Sequence, residues 1–159
     1  PLMREAFDKP AEAAAWKADN LYRIYTKVSR GFIRVDADEV TYPAHVILRY
    51  RLEKQLLAGE AKLADLPAMW NAGMAQLLGV TPLDDRLGCL QDIHWYSGAW
   101  GYFPTYTLGA MAAAQIFDAA KRAVPAIPAA IGRGDFQPLL GWPLDAGIFE
   151  AHLKARYLA

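Results

Sequence analysis

Residues 65–79, DLPAMWNAGMAQLLG, decide the fold class of this chain. Asp65 is a side chain that caps helix starts, and Pro67 falls in the first turn, where its missing N–H costs nothing. Gly79 stands where a helix hands over to a left-handed residue. Between them Leu66, Met69, Trp70, Met74 and Leu77 recur at helical spacing and mark one buried stripe. Upstream, a second helix is expected from near Asp38 to Ala58, stopped by Gly59. Its stretch from Val40 to Leu48 has no Asp, Glu, Lys or Arg and reads as buried. Its later half is amphipathic, with Leu48, Leu52 and Leu56 inside and Arg49, Glu53 and Lys54 off that stripe. Pro43 lies either in the first turn or at a kink.

Further toward the N-terminus, Ala11, Ala14, Ala18, Leu21, Tyr25 and Val28 predict one or two helices over 10–28, with Asn20 a candidate cap for the second. Downstream, the glycine- and aromatic-rich run 96–104 leads into a helix ending near Val124. Gly109, Ala110, Ala112, Ala113 and Ala114 give that helix a small-residue surface that lets a neighbour come close. Short helices are expected between Pro125, Pro128, Pro138 and Pro143. Only Phe32 to Val35 hints at strand alternation. The class is all-α, a single helical region over 1–159.

Composition narrows the function. An apolar fraction of 54% with 12% aromatics excludes global disorder. Lys+Arg and Asp+Glu both number 17, so no basic excess exists to track nucleic acid or an anionic membrane. A lone cysteine, Cys89, closes no internal disulfide and fits either a reducing compartment or a fold that needs no staple. His45, His94 and His152 are too far apart for a helical metal site, and HExxH, GxSxG, Walker A and GxGxxG are all missing from the sequence. The opening residues carry no signal-peptide core. From Ile93 to Phe117 no charged side chain occurs, but glycines, Pro104, Gln115 and three tyrosines interrupt the run. It reads as a segment buried in protein rather than a membrane span.

Three clusters could carry chemistry. Arg34 and Asp38, in FIRVDAD over 32–38, are four apart and would pair on a helix. That is either a surface ion pair of little energetic weight or a guanidinium held between Ile33 and Val35 to grip a substrate carboxylate. In GCLQDIHW, 88–95, His94 is either a core histidine satisfied by neighbours such as Gln91 or a group aimed into a cleft. In GAWGYFPTY, 98–106, Tyr102 and Tyr106 are either aromatic core or a glycine-hinged lip that donates hydrogen bonds to bound peptide. Cys89 has no neighbouring base and reads as a buried, inert thiol.

These blocks resemble two signatures of the thermostable (Taq-type) carboxypeptidase family, helical zinc peptidases that trim C-terminal residues. Ile33, Arg34, Ala37 and Asp38 match its I-R-x-x-A-D block, and Gly88, Gln91, Asp92, His94 and Trp95 match G-x-x-Q-D-x-H-W. The likeness runs from about Asn20 to Tyr157. It implies a zincin-like helical peptidase with a long substrate groove, of which this chain resembles the C-terminal third. The family's HExxH helix supplies the zinc ligands, and none of that motif is in this sequence; no metal ligand is expected here and zinc belongs to the parent. The resemblance implies that Arg34 faces the substrate's terminal carboxylate and that His94 lies near the scissile carbonyl. Asp38, Gln91, Asp92 and Trp95 would support these groups, Gln91 and Asp92 by fixing the His94 ring. By similarity to the His-then-Tyr arrangement of thimet oligopeptidase and angiotensin-converting enzyme, Tyr102 and Tyr106 would stabilise the oxyanion.

The implied protein is a cytoplasmic metallocarboxypeptidase, a homodimer acting on peptides with a free C-terminus. The competing reading is a metal-independent helical binding or oligomerisation module. Family members carry a longer helix–loop–helix where Trp142 here abuts Pro143.

Overall fold

A computed structural model describes residues 15–140 of the protein. The expected helix residues before position 15, the Trp142–Pro143 junction and His152 lie outside the described residues. Helix α1 runs Ala18–Tyr25, α2 Tyr42–Leu57, α3 Leu66–Leu78, α4 Pro104–Ala123, α5 Ile127–Gly132 and α6 Gln137–Leu140. Among the described residues no strand occurs; Phe32–Val35 runs into a single 3-10 turn, Arg34–Asp36. The chain divides into two compact units after Thr107, within α4.

Helix boundaries follow local chemistry. Pro67 occupies the first turn of α3, and Gly79 ends it in the left-handed region at φ 67°. Asp65 stands at the N-cap position, but its side chain makes no capping bond there. Helix α2 starts at Tyr42, later than expected, because Asp38 forms a turn ahead of it. The Asp38 Oδ1 accepts from the amides of Val40 (3.0 Å) and Thr41 (2.9 Å), and its Oδ2 accepts from Ser29 N–H (2.8 Å). Those bonds, Ser29's first, hold the Asp38 carboxyl at about 2. Pro43 sits in the first turn rather than at a kink. Asn20 opens no second helix: it lies inside α1 and its amide donates to Ala15 O at 2.7 Å.

The first unit packs α2 against α3. Leu48 and Leu52 meet Leu66, Trp70, Met74, Leu78 and Cys89, while Met69 and Leu77 only flank this cluster. The buried stripe of α3 therefore ends on Leu78 rather than Leu77. The helices come so close at Gly73 that a Cβ there would collide with Leu48 Cδ1.

Two expectations are overturned. Arg49 and Glu53, assigned to the solvent side of α2, are 0% and 2% exposed. With Thr41 and His45 they form a line at four-residue spacing, one continuous polar seam along the helix. Residues 91–101 supply partners for Arg49 and Glu53, described below. The charge-free run 93–117 is also not uniformly buried. Phe103 is inside, but Leu108, Met111, Ile116 and Phe117 of α4 are exposed. Among the described residues nothing lies within 4 Å of a Cβ at Gly109. In the second unit Ala120, Ile127 and Ala130 are buried.

Two outcomes follow from this packing. Gly73→Ala gains about 1 kcal/mol of helix propensity, but overpacking a closed helix contact costs about 1–3 kcal/mol. A net loss is expected in urea denaturation, relieved when Leu48→Ala is combined with it. A raised midpoint for the single variant would contradict the contact.

His45 is fully buried and neither ring nitrogen has a hydrogen-bond partner. Burial, then the charges of Arg49 and Arg34, lower its pKa from 6.5 to about 4, against weaker opposing pulls from Asp92 and Asp38. Between those values the unfolded chain binds the proton and the folded chain does not, so stability should fall as pH drops from 6.5 toward 4. In His45→Leu that segment of the pH–stability curve should flatten. An unchanged slope would remove His45 as its source.

Candidate functional site

Arg34 enters its turn from an extended Ile33 and leaves it through an extended Ala37, so positions 34 and 38 share no helical face. The expected Arg34–Asp38 pair is accordingly not formed. Asp38 is spent on backbone amides, and Arg34 instead reaches across to Asp92. Its Nε and Nη2 donate to Asp92 Oδ1 at 3.1 and 2.7 Å, and its Nη1 donates to the Tyr42 hydroxyl at 2.6 Å. Arg49 approaches the other oxygen of the same carboxylate, Nε to Asp92 Oδ2 at 2.6 Å. It also donates to His45 O (2.8 Å) and Gln91 Oε1 (2.8 Å).

Gln91 locks this arrangement into the backbone. Its Oε1 accepts from Arg34 N–H at 2.9 Å as well as from Arg49. Its Nε2 lies within donating distance of Phe32 O, Leu87 O and Gly88 O at 3.0, 3.0 and 3.1 Å. The amide thus ties three stretches of chain together.

The electrostatics follow from burial and sharing. Burial alone would raise the Asp92 carboxyl, but the bonds and charges of Arg34 and Arg49 hold it below the usual carboxylate range. Burial pulls Arg49 down to about 10, against the attraction of Asp92, which leaves it charged at neutral pH. For Arg34 burial is outweighed by Asp92 and Tyr42, and its pKa rises. Two cations on one anion leave this buried cluster with one formal positive charge.

Aromatic rings surround the guanidiniums. Arg34 Cζ is 5.0 Å from the Tyr106 ring centroid and 5.6 Å from those of Tyr42 and Phe103. Arg49 Cζ lies 4.6 Å from the Trp70 centroid and 5.3 Å from Phe103. Phe103, 1% exposed, therefore faces both cations.

His94 packs on Phe103 at 4.4 Å between centroids, and its Nε2 lies 2.8 Å from the Tyr106 hydroxyl. The rings of Tyr102 and Tyr106 are 5.3 Å apart and edge-on, with Tyr102 half exposed. Burial lowers the His94 pKa and raises that of Tyr106. At neutral pH the pair therefore holds a neutral imidazole and an intact phenol. Asp92 Oδ1 is 3.9 Å from His94 Nδ1, beyond hydrogen-bond reach, and Gln91 does not bond the ring. Both side chains, expected to fix His94, are occupied by the two arginines. Trp95 donates its indole N–H to Glu53 Oε1 at 2.6 Å and stands edge-on to Trp70.

Gly98 and Gly101 adopt φ of 78° and 74°, and nothing lies within 4 Å of a Cβ at either. Glycine is needed there for backbone conformation, not for close approach. Sequence reasoning missed Tyr42, His45, Arg49 and Glu53. The available signal was the repeat of Thr41, His45, Arg49 and Glu53 every fourth residue. Among the described residues no three His, Cys, Asp or Glu side chains gather to hold a metal ion.

Comparison with known proteins bears on this geometry. The family model of the Carboxypeptidase Taq (M32) metallopeptidases matches residues 1–155. Carboxypeptidase 1 of Bacillus subtilis is 44% identical over 124 residues, 78% of this chain and 25% of the relative. Thermostable carboxypeptidase 1 of Thermus thermophilus is 40% identical over 142 residues, 89% of this chain and 27% of the relative. The chain thus spans about a quarter of the length of the curated relatives it matches. The solved M32 carboxypeptidase of Deinococcus radiodurans superposes with a TM-score of 0.81 at 42% identity, over 88% of this chain and 28% of that one. Trypanosoma cruzi metallocarboxypeptidase 1 gives 0.76 at 43%, over 80% and 26%. A match over nearly the full sequence, joined to an all-helical likeness at this identity, means that the chain belongs to the Carboxypeptidase Taq (M32) metallopeptidase family.

Proposed function

We propose that this chain is part of a metallocarboxypeptidase and forms the side of its groove that meets the substrate's C-terminal carboxylate and scissile carbonyl. The observation that carries the reading is the buried Arg34–Asp92–Arg49 cluster, which keeps one positive charge in excess beside His94 and Tyr106. A terminal carboxylate is the anion that a carboxypeptidase must recognise. Three of the five guanidinium N–H groups of Arg34 are engaged within the protein, which orients the others without reorganisation.

Peptide hydrolysis builds negative charge on the former carbonyl oxygen. The phenolic O–H of Tyr102, together with one proton from the hydrogen-bonded Tyr106–His94 pair, is suited to donate to it. Burial supports that role by keeping Tyr106 protonated. Asp38, Gln91, Asp92 and Trp95 act through these groups. The described residues do not fit a metal, so the zinc of this proposal is held elsewhere in the parent and no step here is routed through it. The same proposal has peptides with a free C-terminus as substrates and a cytoplasmic homodimer as the parent. It is supported by the family membership, and among the described residues no helix is long and apolar enough to cross a membrane.

In the full-length enzyme, Arg34→Lys keeps the charge and loses the planar fork. It should lower kcat/KM on free C-terminal peptides by about 2 kcal/mol, roughly thirtyfold. Tyr102→Phe should lower kcat by about a hundredfold, the weight of one oxyanion donor. Steady-state kinetics on a blocked dipeptide series decides, and unchanged turnover in both variants would sink the assignment.

A further inference from the structure

Glu53 is a member of the α2 polar seam to which the substrate reading gives no task. It is 2% exposed and forms no ion pair among the described residues: its Oε1 accepts from Trp95 Nε1 at 2.6 Å and from Gly101 N–H at 3.2 Å. Its Oε2 is buried with no partner. A carboxylate kept in that state must be held by structure that needs it, because an unpaired buried oxygen is costly.

Its two partners are the informative feature. The backbone bonds of this stretch are local, Ser97 to Ile93, Gly98 to Trp95 and Ala99 to His94. Among the described residues, the hydrogen bonds that carry this stretch to another element both end on Glu53 Oε1. One end of the tether is the indole that follows His94. The other is the amide that precedes Tyr102, at a glycine whose φ of 74° most side chains avoid. Trp100 closes the loop by stacking on Trp95, ring centroids 5.6 Å apart.

We propose that Glu53 is a positioning residue: by clamping Trp95 and Gly101 to α2, it fixes Tyr102 and Tyr106 relative to His94. The inference rests on the reading that those three side chains face the scissile carbonyl. It adds a residue outside both signature blocks, acting from the far side of the loop. Gly101 sets where the Tyr102 Cα lies. Tyr102 in turn packs edge-on to Tyr106, whose hydroxyl meets His94. Without the carboxylate, both N–H groups lose their acceptor and the loop loses its connection to the helix.

The test uses the full-length enzyme. Glu53→Ala should cut kcat by roughly 10- to 100-fold, the scale of an ångström-sized misplacement, with KM for free C-terminal peptides within about twofold because Arg34 is untouched. Glu53→Gln keeps an acceptor oxygen for both N–H groups and should recover most of kcat. Combining Glu53→Ala with Tyr102→Phe should cost little more than either change alone. Equal losses in kcat and KM, no rescue by Gln, or additive effects would overturn the proposal.

If Tyr102→Phe and Tyr106→Phe leave kcat intact, the oxyanion reading has failed instead. If those variants lose kcat and Glu53→Ala does not, only the tether has failed. Should Glu53→Ala not fold, hydrogen exchange on the unmodified enzyme still decides. The Gly101 amide, in an exposed residue, should exchange at least tenfold more slowly than those of its exposed loop neighbours Tyr96 and Trp100, which donate to no backbone carbonyl. Equal rates would refute the clamp.

Discussion

Everything in the first unit depends on one carboxylate shared by two guanidiniums. Asp92 gives one oxygen to Arg34 and the other to Arg49, and none of the three side chains is more than 10% exposed. Taking such charges out of water costs several kcal/mol per ion, and Coulombic attraction repays it only when the geometry is good. Here it is good: bonds of 2.6 to 3.1 Å use both carboxylate oxygens, and Gln91 and the His45 carbonyl occupy further Arg49 donors. Breaking a buried pair by removing one partner costs about 3–5 kcal/mol, a large share of the 5–15 kcal/mol that holds a domain together. The cluster is therefore as much a fold determinant as the Leu48–Trp70–Met74 core beside it.

The same constraint creates the chemistry. Asp92 cannot neutralise both arginines, so a positive charge remains where water is scarce and electrostatic interactions are strong. Phe103 lies within cation–π distance of both cations and is also the floor on which His94 packs. The anion-attracting group and the imidazole are thus fixed to one another through a single buried ring. A displacement of Phe103 would move both, so in the proposed role recognition and chemistry are coupled at this point of the fold.

What the sequence shows and what it hides divide along the range of the interaction. The end of α3 is legible because Gly79 and its left-handed φ are a local event, and the first turn of α2 because Pro43 restricts only its own neighbourhood. The pairing of Arg34 with Asp38 fails because four-residue spacing means contact only on a helix, and Ala37 is extended. Arg49 and Glu53 look like solvent-side residues because a helical wheel counts apolar positions. It cannot register a segment forty residues on, 91–101, that arrives carrying Gln91, Asp92 and Trp95. The motif blocks point to Arg34, Asp92 and His94. That Asp92 serves the arginines rather than the histidine is decided by distances no spacing rule contains: 2.7 Å to Arg34 against 3.9 Å to His94 Nδ1.

The two buried carboxylates, Asp92 and Glu53, hold the same segment by bonds of unequal kind. Asp92 is bound by two guanidiniums, so ion-pair attraction adds to its hydrogen bonds. Glu53 is bound by an indole and a backbone amide, both uncharged. The chain near Asp92 is thereby anchored firmly, and the chain from Trp95 to Gly101 more weakly. In the proposed role, a groove wall that holds a carboxylate in place yet lets product leave would benefit from that gradient, since opening is cheapest where the bonds are weakest. The glycines that permit a change of backbone conformation, Gly98 and Gly101, fall in the weakly held part and beside the tyrosine that reaches solvent. In that proposed role recognition thus falls on the strong end and adjustment on the weak one, and both are set by the choice of partners along one face of α2.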